Sequence, residues 1–234
     1  MHVSVNGLNL YYETHGTGEP LILLHGAVGA SEMFAPVLPS LAAQRQVIAV
    51  HLQAHGKTSD ADRPMRFESM ANDIAELIRH LGLTKTDVLG YSFGGAVALR
   101  LAVQHPELVR KLILISVAFK KEAFLPEVRA QMAQMGPDAA VNAAQRALFT
   151  KLGDLLRRNF DWTQEIDALT MPVLLVFADA DQYTLAHIAD FYRALGGGQY
   201  ERSSSQLAIL PDTTHYDVLS SPVLGTIVNA FLDR

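Results

Sequence analysis

The sequence predicts a doubly wound, mostly parallel α/β sheet carrying a small helical insertion. Three observations predict it: short unbroken apolar runs, helix-forming stretches that alternate with them, and one long stretch where the alternation fails. Its 234 residues, 49% hydrophobic and 18% charged, suit one large α/β domain and exclude a disordered or collagenous chain.

Residues 8–13 alternate apolar and polar, as a half-buried strand does. Residues 21–24, 47–50, 86–89, 112–115, 173–177 and 207–210 read instead as strands, most of them unbroken apolar runs, the pattern expected when helices cover both faces of a sheet. Helical stretches at 33–42, 67–81, 94–104, 185–195 and 222–232 fall between or after them. In the second of these, Met70, Ile74, Leu77 and Ile78 stand at i, i+4, i+7 and i+8, one apolar face. Strand and helix in turn imply parallel pairing. From residue 119 to 169 no strand pattern occurs, only helix-forming mixtures at 127–135 and 139–160. The division is therefore a sheet core at 1–118 and 170–234 with a helical lid at 119–169, an overlong crossover being the plainer alternative, since a crossover needs only about a dozen residues. Gly196 to Gly198 and Ser203 to Ser205 bound a surface loop.

Nineteen basic against 24 acidic residues give a net charge of −5, which argues against a polyanionic partner such as nucleic acid. The absence of cysteine excludes a disulfide framework, a thiolate metal site and a cysteine nucleophile. It also leans toward a cytoplasmic setting. The first residues lack the basic and apolar segments of a signal peptide, and no apolar run reaches the ~18 residues of a membrane span. Monomer and dimer both stay open.

Gly90-Tyr91-Ser92-Phe93-Gly94 has the form G-x-S-x-G between a strand and a helix. A serine on such a tight turn is held in a strained backbone conformation, tolerated when its neighbours two positions away lack side chains. A serine hydroxyl is a weak nucleophile at neutral pH, so it needs a base and a group that orients the base. Of nine histidines, His80 and His105 fall at helix ends, His2 and His15 near an edge, and His187 inside a helix; His51 and His55 sit just after a strand. His215 follows the last apolar strand in the polar segment 211–215, at the carboxyl end of the sheet where catalytic groups converge. The segment after 173–177 offers Asp179 and Asp181, of which Asp181 is preferred as the acid.

Together these residues resemble the α/β-hydrolase family over residues 8–232. His25-Gly26 resembles the family's HG oxyanion signature, Ser92 its nucleophile, Asp181 the acid of its G-x-x-D and His215 its late histidine, in the chain order known for this fold. Gly94-Gly95 and Glu107 resemble the helix after the elbow. Three departures stand out: His51 replaces a usual Asp, Ala54 a Gly, and Ala178 the Gly of G-x-x-D, which requires negative φ at Ala178. The lid is also short.

The resemblance implies a serine esterase or lipase-like enzyme cleaving a small-molecule ester, with no metal and no organic cofactor. The backbone N–H groups of Ala27 and Phe93 would hold the oxyanion. Val28, Met33, Phe34, Phe119, Phe124, Tyr183 and Tyr216 are candidate substrate contacts, and a short apolar lid favours small to medium acyl chains. The same triad also serves lactone hydrolysis, carbon–carbon cleavage or cofactor-free perhydrolysis, and a non-catalytic binder on this scaffold is a further alternative. Carbon–carbon cleavage would need a cationic clamp, for which the lid offers Arg129, Arg146, Arg157 and Arg158. Serine at the elbow excludes the branches that use an aspartate nucleophile.

Overall fold

A computed structural model describes residues 1–140, 142–201 and 203–234. Eight strands form one sheet: β1 (His2–Val5), β2 (Leu8–His15), β3 (Glu19–Leu24), β4 (Arg45–Val50), β5 (Thr86–Tyr91), β6 (Val109–Ile115), β7 (Val173–Ala180) and β8 (Gln206–Thr214). Their order is β1-β2-β4-β3-β5-β6-β7-β8. β1 with β2 and β2 with β4 are antiparallel, and every other pair is parallel.

The unbroken apolar runs divide by parity between two cores. Ile22, Leu24, Ile48, Val50, Val88, Leu112 and Leu114 face one side; Leu21, Leu23, Val47, Ala49, Leu89, Ile113 and Ile115 face the other. A strand buried on both faces has no polar positions to spare. The helices are α1 (Leu38–Ala42), α2 (Phe67–His80), α3 (Phe93–Gln104), α4 (Pro126–Gln134), α5 (Ala143–Arg157), α6 (Thr163–Ile166), α7 (Leu185–Ala194) and α8 (Leu224–Leu232). In α2, Met70, Ile74, Leu77 and Ile78 are all buried, as the apolar spacing requires. Among the described residues, no helix is long and apolar enough to cross a membrane.

The structure redraws four expectations. Residues 33–42 are not one helix but a 3-10 turn, Ser31–Phe34, followed by α1; Pro36 has no N–H to give and its ring obstructs a continuous helix. The stretch 139–160 is shorter, with α5 ending at Arg157, and Val141 within it lies outside the described residues. The segment 211–214, expected as loop, continues β8 beyond a register shift. β1 was not expected. Its signal was Asn6-Gly7, with φ of 47° and 80°, the pair a tight two-residue hairpin needs.

Between β6 and β7 lie α4, α5 and α6 with no strand among the described residues. The two ends of this insertion are stitched together by Trp162 N–H donating to Phe119 O (2.9 Å) and Lys121 N–H to Phe160 O (2.9 Å). Arg100 of α3 pairs with Glu165 of α6 and lies over the Trp162 ring.

Candidate active site

At the junction of β5 and α3, Ser92 adopts φ 51° and ψ −113°. A Cβ at Gly90 would sit 2.5 Å from Gly94 O, and one at Gly94 would sit 2.2 Å from Leu24 O. No side chain fits in either gap, so the two glycines of the motif are what allow β3, β5 and α3 to close around the serine.

The strand ends then bring three side chains into line. The Ser92 hydroxyl lies 2.9 Å from His215 Nε2, and His215 Nδ1 lies 2.8 Å from Asp181 Oδ1. Asp181 also accepts from Gln182 N–H at Oδ1 (2.8 Å) and from Ser116 Oγ (2.6 Å) and Ala178 N–H (3.0 Å) at Oδ2. Burial alone would raise this carboxyl, but the bonds from His215, Ser116 and Ala178 outweigh it and hold its pKa below the usual carboxylate value. An ionised Asp181 accepts a proton-bearing Nδ1, which leaves Nε2 to accept from the serine. Asp179 is engaged elsewhere: it accepts from the N–H groups of Asp212 (2.9 Å) and Thr213 (3.0 Å), bracing the end of β8. Ala178 is absent from the residues with positive φ, which is why alanine is tolerated there.

Three supports were invisible as motifs. Ser116, fully buried at the end of β6 with φ 53°, steadies the acid. Tyr91 O–H donates to His215 O (2.6 Å). Tyr183 O–H donates to Ser116 O (2.9 Å). Each side chain is local in space but 65 to 124 residues away along the chain from its partner, so no spacing rule could have found it.

Ala27 and Phe93, the residues expected to supply the oxyanion donors, line the same cavity as the serine. Phe93 opens α3, so its N–H is one of the first-turn donors that a helix leaves without an internal partner. Ala27 N–H donates to no backbone or side-chain acceptor among the described residues. The loop carrying Ala27 is fixed by His25, which is fully buried: its Nδ1 is 2.8 Å from Gly26 O and its Nε2 accepts from Leu52 N–H (3.1 Å). Burial, with His55 beside it, pushes the His25 pKa down to about 3. His51, standing where the resembled family has Asp, accepts from Lys57 N–H (2.9 Å) and lies 2.8 Å from Ser31 Oγ.

The family model of the alpha/beta hydrolase fold matches residues 19–158, a stretch that includes the elbow. The chain belongs to the α/β-hydrolase fold family. Over 116 residues it is 39% identical to a soluble epoxide hydrolase of Corynebacterium, covering 48% of this chain and 40% of that one. Over 145 residues it is 32% identical to a putative carbamate hydrolase of Azorhizobium caulinodans, covering 60% and 55%. The chain thus matches about half the length of these curated relatives. A solved structure of an esterase from Thermogutta terrifontis superposes with a TM-score of 0.79 at 21% identity, covering 99% of this chain and 96% of that one.

In this α/β-hydrolase family member, Ser92 and His215 open onto a cavity of about 380 Å³. Gly26, Ala27 and Phe93 form its floor, and Phe67, Val128, Met132, Leu155 and Phe160 are among its apolar walls. Of the expected contacts, Val28, Met33, Phe124, Tyr183 and Tyr216 line it. Phe34 and Phe119 do not. The 3-10 turn presents Met33 to the cavity and turns Phe34, 1% exposed, into the opposite core with Leu21 and Val37. After β6, Ala118 faces the cavity while Phe119 turns away and packs on His187 (4.6 Å) and Phe191 (4.8 Å). None of Arg129, Arg146, Arg157 and Arg158 lines the cavity, whereas Lys121 does.

Proposed function

We propose that the protein is a serine hydrolase of small to medium carboxylic esters working through an acyl-enzyme intermediate. The observation that carries this reading is the continuous chain of hydrogen bonds from Asp181 through His215 to Ser92 at the wall of a mainly apolar cavity. Ser92 Oγ attacks the carbonyl carbon while His215 Nε2 takes its proton. Asp181 fixes the tautomer and stabilises the imidazolium that forms. The N–H groups of Ala27 and Phe93 receive the charge on the carbonyl oxygen, where loss of one donor costs about 3 kcal/mol of transition-state stabilisation. Imidazolium then returns the proton to the leaving alkoxide. Water, deprotonated by the same nitrogen, releases the acid and regenerates the serine.

Residues 119–169 serve in this reading as a roof over the core formed by 1–118 and 170–234. Phe124, Val128, Met132 and Phe160 from the roof, with Met33 and Phe67 from the core, leave room for an acyl chain of limited length. Likeness to an epoxide hydrolase does not extend to epoxide opening here. A serine oxygen that opened an epoxide would be left in an ether that water cannot cleave by this machinery, whereas a carbonyl adduct collapses and turns over. Carbamates and lactones share that carbonyl chemistry and are accommodated by the same steps.

A panel of p-nitrophenyl esters from acetate to palmitate tests the reading. The expected kcat/KM peaks at short to medium acyl length and is lost in Ser92→Ala. A maximum at palmitate would sink the proposed role of the roof, and activity retained in Ser92→Ala would sink the nucleophile.

A further inference from the structure

We propose that Lys121 anchors a carboxylate carried by the substrate, so that the preferred ester bears an acid group remote from the scissile bond; this rests on the ester-hydrolase reading above. Lys121 is the sole lysine or arginine among the described residues lining the cavity, and no aspartate or glutamate lines it. Lys121 is thus the one cationic side chain on a wall otherwise built mainly from Met, Leu, Val and Phe.

Its bonding leaves capacity for a ligand. Lys121 Nζ donates to Leu156 O near the carboxyl end of α5, where a cation also suits the helix dipole. That uses one of its three protons. Among the described residues it makes no ion pair with a carboxylate. Burial, and Arg129 nearby, press the Lys121 pKa down against the opposing pull of Glu122, and an arriving carboxylate relieves that cost. The amide of Gln131 lines the same cavity and supplies a neutral donor.

The ammonium is also held in place. The 3-10 turn Lys121–Ala123 is fixed at one end by Lys121 N–H on Phe160 O and at the other by Thr184 N–H on Ala123 O (3.0 Å). A pre-positioned cation facing an apolar cavity discriminates more sharply than a solvated one, because the charge pair forms where water is scarce. The lid arginines lack this placement: Arg157, for example, is spent on Asp154 and on Met135 O.

The test compares monomethyl adipate with methyl 6-methylheptanoate, in which an isopropyl group replaces the carboxylate, and the acetate ester of 5-hydroxypentanoate with its neutral counterpart. The expected result is a preference for the acid-bearing ester in one series, expressed mainly in KM and weakened by salt. In Lys121→Met the ratio of acid-bearing to neutral kcat/KM falls about tenfold or more, and in Lys121→Arg it largely returns. Because each variant is read as a ratio within itself, a general loss of fold does not imitate the effect. An unchanged ratio in Lys121→Met for both series overturns the proposal and leaves Lys121 as a strut to α5. Calorimetry of adipate binding to Ser92→Ala, with and without Lys121→Met, separates the two readings. Weakening by about tenfold there supports the anchor even if Ser92 proves not to be the nucleophile, and equal binding or none at all in both proteins overturns it.

Discussion

The loops that carry Ser92, Asp181 and His215 and the helices that cover them differ in how firmly their groups are tied down. Below, Asp181 accepts four hydrogen bonds, and the backbones of His215 and Ser116 are each gripped by a tyrosine hydroxyl. Above, α4 contributes no buried residue at all. Its neighbour α5 buries Leu148, Leu152 and Leu155 and is pinned to the core by Lys151, which meets Asp60 at 2.7 Å. On the proposed function the contrast would separate two tasks: proton transfer needs geometry held to a fraction of an ångström, whereas chain-length selection does not, and low local stability concentrates where few apolar groups are buried.

Four comparisons probe that contrast, and the hydrogen-bonded chain at Ser92 should respond most. Asp181→Asn removes the partner that sets the His215 tautomer, and kcat is expected to fall by about 10³ to 10⁴. Asp179→Asn, which touches only the backbone of β8, should cost far less, and steady-state kinetics on one ester compares the two. If Asp179 proved the costlier, the acid would have to be reassigned.

Acid should unfold the floor through its histidines. His25, held down to about 3, and His187, lowered by burial to about 4, stay neutral in the folded protein over a range where the unfolded chain, near the usual 6.5, takes up protons. Unfolding therefore gains protons as pH drops from 6.5 toward 4, and stability falls by up to about 1.4 kcal/mol per pH unit for each histidine. Urea melts at pH 7, 6 and 5 measure the slope. In His25→Gln it should flatten by about one proton, and an identical slope would show that His25 is not the group responsible.

The fold was readable because its central strands are buried on both faces, which writes them as unbroken apolar runs, and because G-x-S-x-G marks its own turn. The convergence of Ser92, Asp181 and His215 was readable for a related reason: each stands at the carboxyl end of a recognisable strand. Pocket contacts were not. Whether Met33 or Phe34, and Ala118 or Phe119, faces the cavity depends on the parity of a short turn, which no periodicity records. Ser116 and Tyr91 act through bonds across the sheet and leave no trace in local pattern. Lys121 carries no local signal, because its place at the cavity depends on the two ends of the insertion coming together.

Ser116→Ala removes one donor from a buried carboxylate, a bond to a charged group, and kcat should fall about tenfold with KM little changed. A drop confined to KM would assign Ser116 to binding instead. The roof answers more gently. Phe124→Ala should shift the optimal acyl length upward by a few carbons and change kcat on acetate only a few-fold, read from the same ester panel; an unmoved optimum would show that Phe124, although it lines the cavity, does not limit length.

The central claim is that Ser92 is an activated nucleophile, and covalent labelling tests it most directly. Treated with a fluorophosphonate probe and digested, the protein should carry a single adduct on the peptide containing Ser92, lost in Ser92→Ala and strongly slowed in Asp181→Asn. Labelling that persists in Ser92→Ala, or a wild-type protein that takes up no probe, would contradict the account.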